Sequence, residues 1–312
     1  METRVAERAV AAGGAPRLWP GLALAMAGSV AFSGKAIIVK LAYRHGVDAV
    51  TLIMYRMLFA LPLFAALAWW AGRGRPALSW RDRGIVAALG FSGYYLASFL
   101  DFAGLAYVSA SFERLILYLN PTLVLFLGRV LYKRRVARAQ LAALAVSYGG
   151  VLLVFGHELH LAGPHVAWGA LLVFGSAVSY ACYLLFSGEV VRRLGSLRLT
   201  GLASTVACVF CIGQFLLVRP LAAAHVATPV LWLSLLNAVA CTVAPVLMVM
   251  MAIERVGATV AAQTGMIGPL STILMGVVIL GEPFTGWIAA GTVAVLAGIW
   301  LLAASGRARP VG

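Results

Sequence analysis

The chain has 312 residues, 62% of them hydrophobic and only 11% charged, with a mean hydropathy of +0.97. Soluble domains carry about 45–50% apolar and about 25% charged residues, so soluble classes are excluded. The net charge of +14 sits mostly in short segments between apolar runs, which points to a lipid bilayer surface and away from nucleic acid.

A spanning helix needs about 20 apolar residues, and ten such segments are predicted. The first, 18–41, carries Ser33, Lys35 and Lys40; it is full length and lacks a small-residue cleavage site, so it reads as a retained helix. The second, 49–71, holds Arg56, and the third, 84–105, holds Tyr94, Tyr95, Ser98 and Asp101. The fourth, 109–131, opens with Glu113 and Arg114 and has Leu117-Tyr118-Leu119-Asn120-Pro121 at its middle. Proline there removes a backbone donor and breaks the helix, and a carbonyl freed in hydrocarbon must be satisfied by protein or water. After the fifth segment, 138–156, an outer loop is expected to hold His157, Glu158, His160 and His165; their spacing fits no zinc template, so no metal is expected.

The sixth segment, 166–188, contains Ser179, Tyr180 and Tyr183. In the seventh, 199–219, Cys208 and Cys211 read as small apolar residues, and the four cysteines imply no disulfide framework. The eighth, 229–251, carries Asn237 and Cys241, and the ninth, 258–280, carries Gln263 and Met266 beside a second mid-span break at Pro269. Before the tenth, 284–304, Glu282 is expected to meet the positive end of that helix. Gly291 and Gly298, seven apart, mark a close-packing face, within the fold or at a dimer contact.

Alternate loops and the two tails carry eighteen Arg and Lys, against Arg44 and Arg219 in the other loops, which places both termini in the cytoplasm. An ungapped repeat appears at an offset of 148: Val108, Pro121, Gly128, Ala142 and Gly150 face Val256, Pro269, Gly276, Ala290 and Gly298. Each half then holds five helices. Five is odd, so the second half enters from the opposite side and the repeat is inverted. Paired mid-span interruptions in two such halves point to a transporter's binding site. The expected organisation is a tail of residues 1–17, repeats of 18–156 and 166–304, and a tail of 305–312, an all-α integral membrane protein around a central cavity.

Lys40, Arg56, Tyr107-Val108-Ser109-Ala110 leading into Leu117–Pro121, and Leu280-Gly281-Glu282-Pro283 followed by Ala290-Gly291 and Ala297-Gly298-Ile299 resemble the EamA branch of the drug/metabolite transporter superfamily. The match extends over nearly the whole chain and is most similar to YddG-type exporters of aromatic and other neutral amino acids. Lys133-Arg134 stands where the first half would repeat Gly281-Glu282, a departure that leaves the acidic position single-copy. The resemblance implies ten helices and a cavity between the halves.

Ionisable residues inside spans default to functional hypotheses. Lys35, Lys40, Arg56, Asp101, Glu113 and Arg114 are expected in the outer third, as a gate or carboxylate vestibule, or as a structural ion network with snorkelling cations. At mid-depth the expected lining is polar and aromatic: Ser33, Tyr94, Tyr95, Ser98, Tyr118, Asn120, Tyr183, Asn237, Cys241, Gln263 and Met266. Such a wall suits a small amphipathic solute, while the same residues also serve as polar contacts between helices. No catalytic constellation, cofactor motif or nucleotide-binding loop is present. The reading is a secondary transporter of the bacterial inner membrane, exporting neutral or aromatic amino acids by facilitated flux. A proton-coupled multidrug or other metabolite exporter is the alternative, with a channel-like conduit or scramblase behind it. The sequence leaves monomer and weak homodimer both open.

Overall fold

The computed structural model describes residues 18–132, 138–163, 165–256, 264 and 267–307. Eight helices are long and apolar enough to cross a membrane, and two shorter apolar helices, Ile267–Leu280 and Gly286–Leu301, bring the set to ten. We label them α1 (Leu18–Tyr43), α2 (Ala49–Gly72), α3 (Trp80–Leu105), α4 (Ala110–Leu117 and Asn120–Tyr132) and α5 (Arg138–Ala162). The second half follows as α6 (His165–Leu194), α7 (Ser196–Val218), α8 (Thr228–Ala238, Val239–Val243 and Ala244–Val256), α9 (Ile267–Leu280) and α10 (Gly286–Arg307).

The halves are related by the 148-residue offset throughout: α3 begins at Trp80 and α8 at Thr228, α5 at Arg138 and α10 at Gly286. The packing obeys the same pseudo-symmetry. The most extensive contacts are α5 on α10 and α2 on α7, each helix against its own repeat mate, while α1 packs on α8 and α9 as α6 packs on α3 and α4. Small residues permit this approach. A Cβ on Gly298 would come within 2.7 Å of the Ala143 carbonyl, and one on Gly150 within 2.8 Å of the Gly291 carbonyl. The glycine face of the last helix is thus spent inside the fold, on α5.

Two irregularities also repeat. α3 widens to a π-helix over Phe91–Leu96 and α8 does so over Val239–Val243, starting 148 residues apart. π-bulges leave backbone groups off the regular ladder and are frequent at functional sites. One freed group is used at once: the Thr242 hydroxyl donates to the Asn237 carbonyl at 2.8 Å.

Three expectations about local structure are corrected. α5 runs on to Ala162, so His157, Glu158 and His160 lie on a helix and not in a loop. The chain reverses at Gly163, whose φ of +81° is left-handed backbone that glycine adopts without steric cost. α4 breaks at Tyr118–Leu119, just before Asn120-Pro121, and proline falls in the first turn of the following helix, where its missing N–H costs nothing. Glu282 does not cap α10. Its carboxylate reaches the N-terminus of α4 in the other half, accepting from the Ala110 amide (2.7 Å), the Ser111 amide (3.2 Å) and the Ser111 hydroxyl (2.8 Å).

Candidate functional site

The break of α4 meets the start of the described part of α9. A Cβ on Gly268, next to Pro269, would lie 2.8 Å from the Tyr118 hydroxyl, so a larger residue here would displace the Tyr118 side chain. Ser33 on α1 donates to the Gly268 carbonyl at 2.8 Å and to its own Ser29 carbonyl at the same distance. The Gly268 carbonyl, in the first turn of the described α9, is thereby satisfied from the first half, as hydrocarbon surroundings demand.

Next to this crossing lies a cavity of about 330 Å³, with an adjoining chamber of about 260 Å³ along the N-terminal half of α1. The two share Phe32, Tyr94, Arg114, Tyr118, Tyr180 and Val246 as walls. Aromatic surface comes from these rings and from Phe64. Tyr94 is fixed edge-on to Tyr183, with ring centroids 5.1 Å apart and hydroxyls at 3.2 Å, and Tyr183 in turn stacks on Tyr180 at 5.6 Å. Tyr183 is therefore a buttress behind Tyr94 and Tyr180.

Charge enters the same cavity. Lys35, Arg56, Asp101 and Arg114 all line it. The Lys35 ammonium contacts Asp101 and lies 3.4 Å from Glu113 Oε1, while Arg114 Nε is 3.9 Å from Glu113 Oε2. Glu113 is wholly buried, behind the wall. Arg56 Nε donates to Thr242 Oγ1 at 3.0 Å and its guanidinium stands 5.0 Å from the Phe102 ring centre. Burying an ion costs several kcal/mol unless it is paired and hydrogen-bonded, at about that order of magnitude. Yet Asp101 Oδ1, Arg56 Nη1, Arg114 Nη2 and Asn120 Oδ1 are buried without a hydrogen-bond partner. These polar groups converge on one cavity, where buried polar atoms call for partners.

The remaining candidates distribute as follows. Ser98 and Asn120 line the larger cavity and Ser33 the smaller. Tyr95 packs away from both, against Phe91 and Phe210. Asn237 is buried in α8 and Cys241 faces Gly34 of α1, neither on the cavity wall. Lys40 is half-buried and off the wall. Gln263 and Met266 lie outside the described residues. Sequence reasoning missed Phe32, Phe64, Ser176, Ser204 and Thr242, which read as ordinary apolar or small helix residues. The one signal for two of them was the repeat, since Ser204 is the mate of Arg56 and Thr242 the mate of Tyr94.

One end of the bundle carries the α1–α2, α3–α4 and α9–α10 turns. There the Tyr43 hydroxyl donates to the Phe102 carbonyl (2.5 Å) and Arg44 Nη2 to the Leu280 carbonyl (2.7 Å), beside the Glu282 clasp on α4. Ser109, the N-cap of α4, accepts from the Phe112 amide at 3.1 Å and donates to Glu158 at 2.6 Å. At this end the Arg44 bond to Leu280 and the Glu282 contacts with Ala110 and Ser111 join the two halves, while the Tyr43 and Ser109 bonds lie within the first.

Outside the spans, Asp48 caps α2. Its carboxylate accepts from the Val50 and Thr51 amides and the Thr51 hydroxyl, and pairs with Arg219 at 3.0 Å. Partial burial raises its pKa, but the Thr51 bonds and Arg219 outweigh this and hold it below the usual carboxylate range.

The EamA-like transporter family model matches residues 19–156 and again 167–304. Among characterised and uncharacterised relatives, the "Uncharacterized transporter YcbK" of Bacillus subtilis is 31% identical over 84% of this chain and 86% of its own length. The "Probable amino-acid metabolite efflux pump" of Salmonella typhimurium is 25% identical over 62% of this chain and 67% of its own. A solved structure titled "Crystal structure of protein" shares the fold, with a TM-score of 0.62 at 16% identity over 92% of this chain and 97% of that one. With the family model spanning both halves, and a relative above 30% identity across most of the chain, this protein belongs to the EamA-like transporter family and is a membrane transporter, not an enzyme.

Proposed function

We propose that this carrier exports neutral and aromatic amino acids and related small metabolites from the bacterial cytoplasm, by alternating access and without proton coupling. The observation that carries the reading is the cavity itself: aromatic walls on Phe32, Tyr94, Tyr118 and Tyr180, with unpartnered donors on Arg56 and Arg114 and an unpartnered acceptor on Asp101. Such a lining matches a carboxylate, an ammonium and an aromatic side chain in one small molecule. The amino-acid metabolite efflux pump among its relatives supports the same class.

Uncoupled flux is supported by where the acids stand. A proton antiporter needs a carboxylate that substrate and proton occupy in turn. Here Asp101, the acid on the cavity wall, is engaged by Lys35, and Glu113 is buried behind that wall, out of reach of a molecule in the cavity. The excess of positive charge at the opposite end of the bundle supports cytoplasmic termini, with the clasped end outside.

In proteoliposomes, phenylalanine counterflow should saturate and be blocked by other neutral amino acids. Net uptake of this zwitterion should not change with an imposed pH gradient or membrane potential. Concentrative accumulation that collapses when the pH gradient is dissipated would establish the coupled alternative. Orientation is checked separately: cysteine at His45 or Thr228 should react with an impermeant thiol reagent in intact cells, and cysteine at Ser79 should not. The opposite pattern inverts the topology.

A further inference from the structure

The cavity does not balance its own charge. Lys35 and Arg114 face two acids, Asp101 and Glu113, so two cations meet at most two anions. Arg56 stands outside that set, with no ion-pair partner among the described residues, although it is only 5% exposed. Its Nε is committed to Thr242, whose hydroxyl is itself held by the Asn237 carbonyl, while Nη1 has no acceptor at all. The Phe102 ring covers the guanidinium from one side and the cavity lies on another. An isolated buried guanidinium with an unmade hydrogen bond is unfavourable until an anion arrives. The planar fork of arginine suits a carboxylate best.

We infer that Arg56 binds the carboxylate of the transported molecule, and that the cavity requires this carboxylate while the ammonium group is dispensable. The inference rests on the reading of the cavity as the site for a small amphipathic metabolite. An acid without an amine neutralises the odd charge. An amine without a carboxylate adds a second cation beside an unpaired one, and both acids it might approach are already held by cations. Asp101 Oδ1 remains as an acceptor for an ammonium when one is present. The repeat mate of Arg56 is Ser204, on the same wall, so the second half offers no equivalent anchor.

Three ligands of one shape separate the groups: phenylalanine, 3-phenylpropanoate, which lacks the amine, and phenethylamine, which lacks the carboxylate. Thermal unfolding of the purified full-length protein in detergent reads binding without any need for transport. Both acids should stabilise the wild type and phenethylamine should not. Arg56→Gln should weaken both acids by about tenfold or more, the usual worth of a charge-assisted bond. Arg56→Lys, which keeps the charge but not the fork, should fall between. Equal stabilisation by phenethylamine, unchanged acid binding by a folded Arg56→Gln protein, or no effect of either acid would overturn the assignment. If Arg56→Gln does not fold, the wild-type series and Arg56→Lys still decide. Binding of 3-phenylpropanoate through Arg56 with none of phenylalanine would leave the assignment standing and sink the amino-acid reading instead.

Discussion

The two halves of this transporter share a backbone and differ in charge. At equivalent positions Lys35 faces Tyr183, Arg56 faces Ser204, Asp101 faces Val249, and Glu113 and Arg114 face Ala261 and Ala262. The π-segments of α3 and α8 and the glycine seam of α5 and α10 were kept in both copies; every embedded ion was kept in one. The difference teaches that the symmetric features follow the shared backbone, whereas the embedded charges do not follow it and belong to one half alone. A carrier that binds one polar molecule at a time has no use for two charged sites. A second cluster of buried ions would add desolvation cost without a ligand to offset it.

The largest effect expected from this contrast is at Lys35. Lys35→Ala leaves Asp101 and Glu113 buried without their shared ammonium and should destabilise the protein by about 3–5 kcal/mol, the usual cost of breaking a buried pair. Tyr183→Phe, at the equivalent position, removes one hydroxyl contact with Tyr94 and should cost about 0.6 kcal/mol. Unfolding of the two variants in detergent checks the comparison, and similar losses at both would show that the halves are energetically alike.

The α5–α10 seam provides the symmetric control. Gly150→Val and Gly298→Val each force a side chain onto a facing carbonyl, and each should cost about 1–3 kcal/mol. Their effects should match within a factor of two. A silent substitution on one side would mean that the seam opens asymmetrically.

A further contrast, smaller than the Lys35 effect, lies outside the membrane. Asp48 caps α2, whereas α7, its repeat mate, starts after Gly195 with no side-chain cap. Asp48→Ala should cost about 1 kcal/mol, typical of a lost N-cap. Because Asp48 titrates below its ordinary value in the folded protein, its contribution is complete above about pH 4 and is lost as the pH falls through the lower folded value. The stability gap between wild type and Asp48→Ala should therefore close on acidification. Its exposure keeps the electrostatic part small. A gap that holds constant to pH 2.5 would leave the cap geometry as the whole effect.

What the sequence determined alone follows from solvent. Hydrocarbon demands about twenty apolar residues per crossing and satisfied backbone groups, so ten segments, the break beside Pro121 and a basic asymmetry were legible in the letters. The repeat and the odd number of helices per half carried the inversion. Tertiary structure decided the pairings, because a side chain's partner across a helix bundle is not a function of its spacing along the chain. Lys35 and Asp101 are 66 residues apart and Arg56 and Thr242 are 186 apart. The same holds for Glu282, whose proline neighbour suggested a cap on its own helix and whose carboxylate instead holds the start of α4, 172 residues earlier. Only packing could set Asn237 and Tyr95 off the cavity and bring Phe32 and Thr242 onto it. The odd charge of Arg56 likewise emerges only when every neighbouring carboxylate has been assigned to another cation.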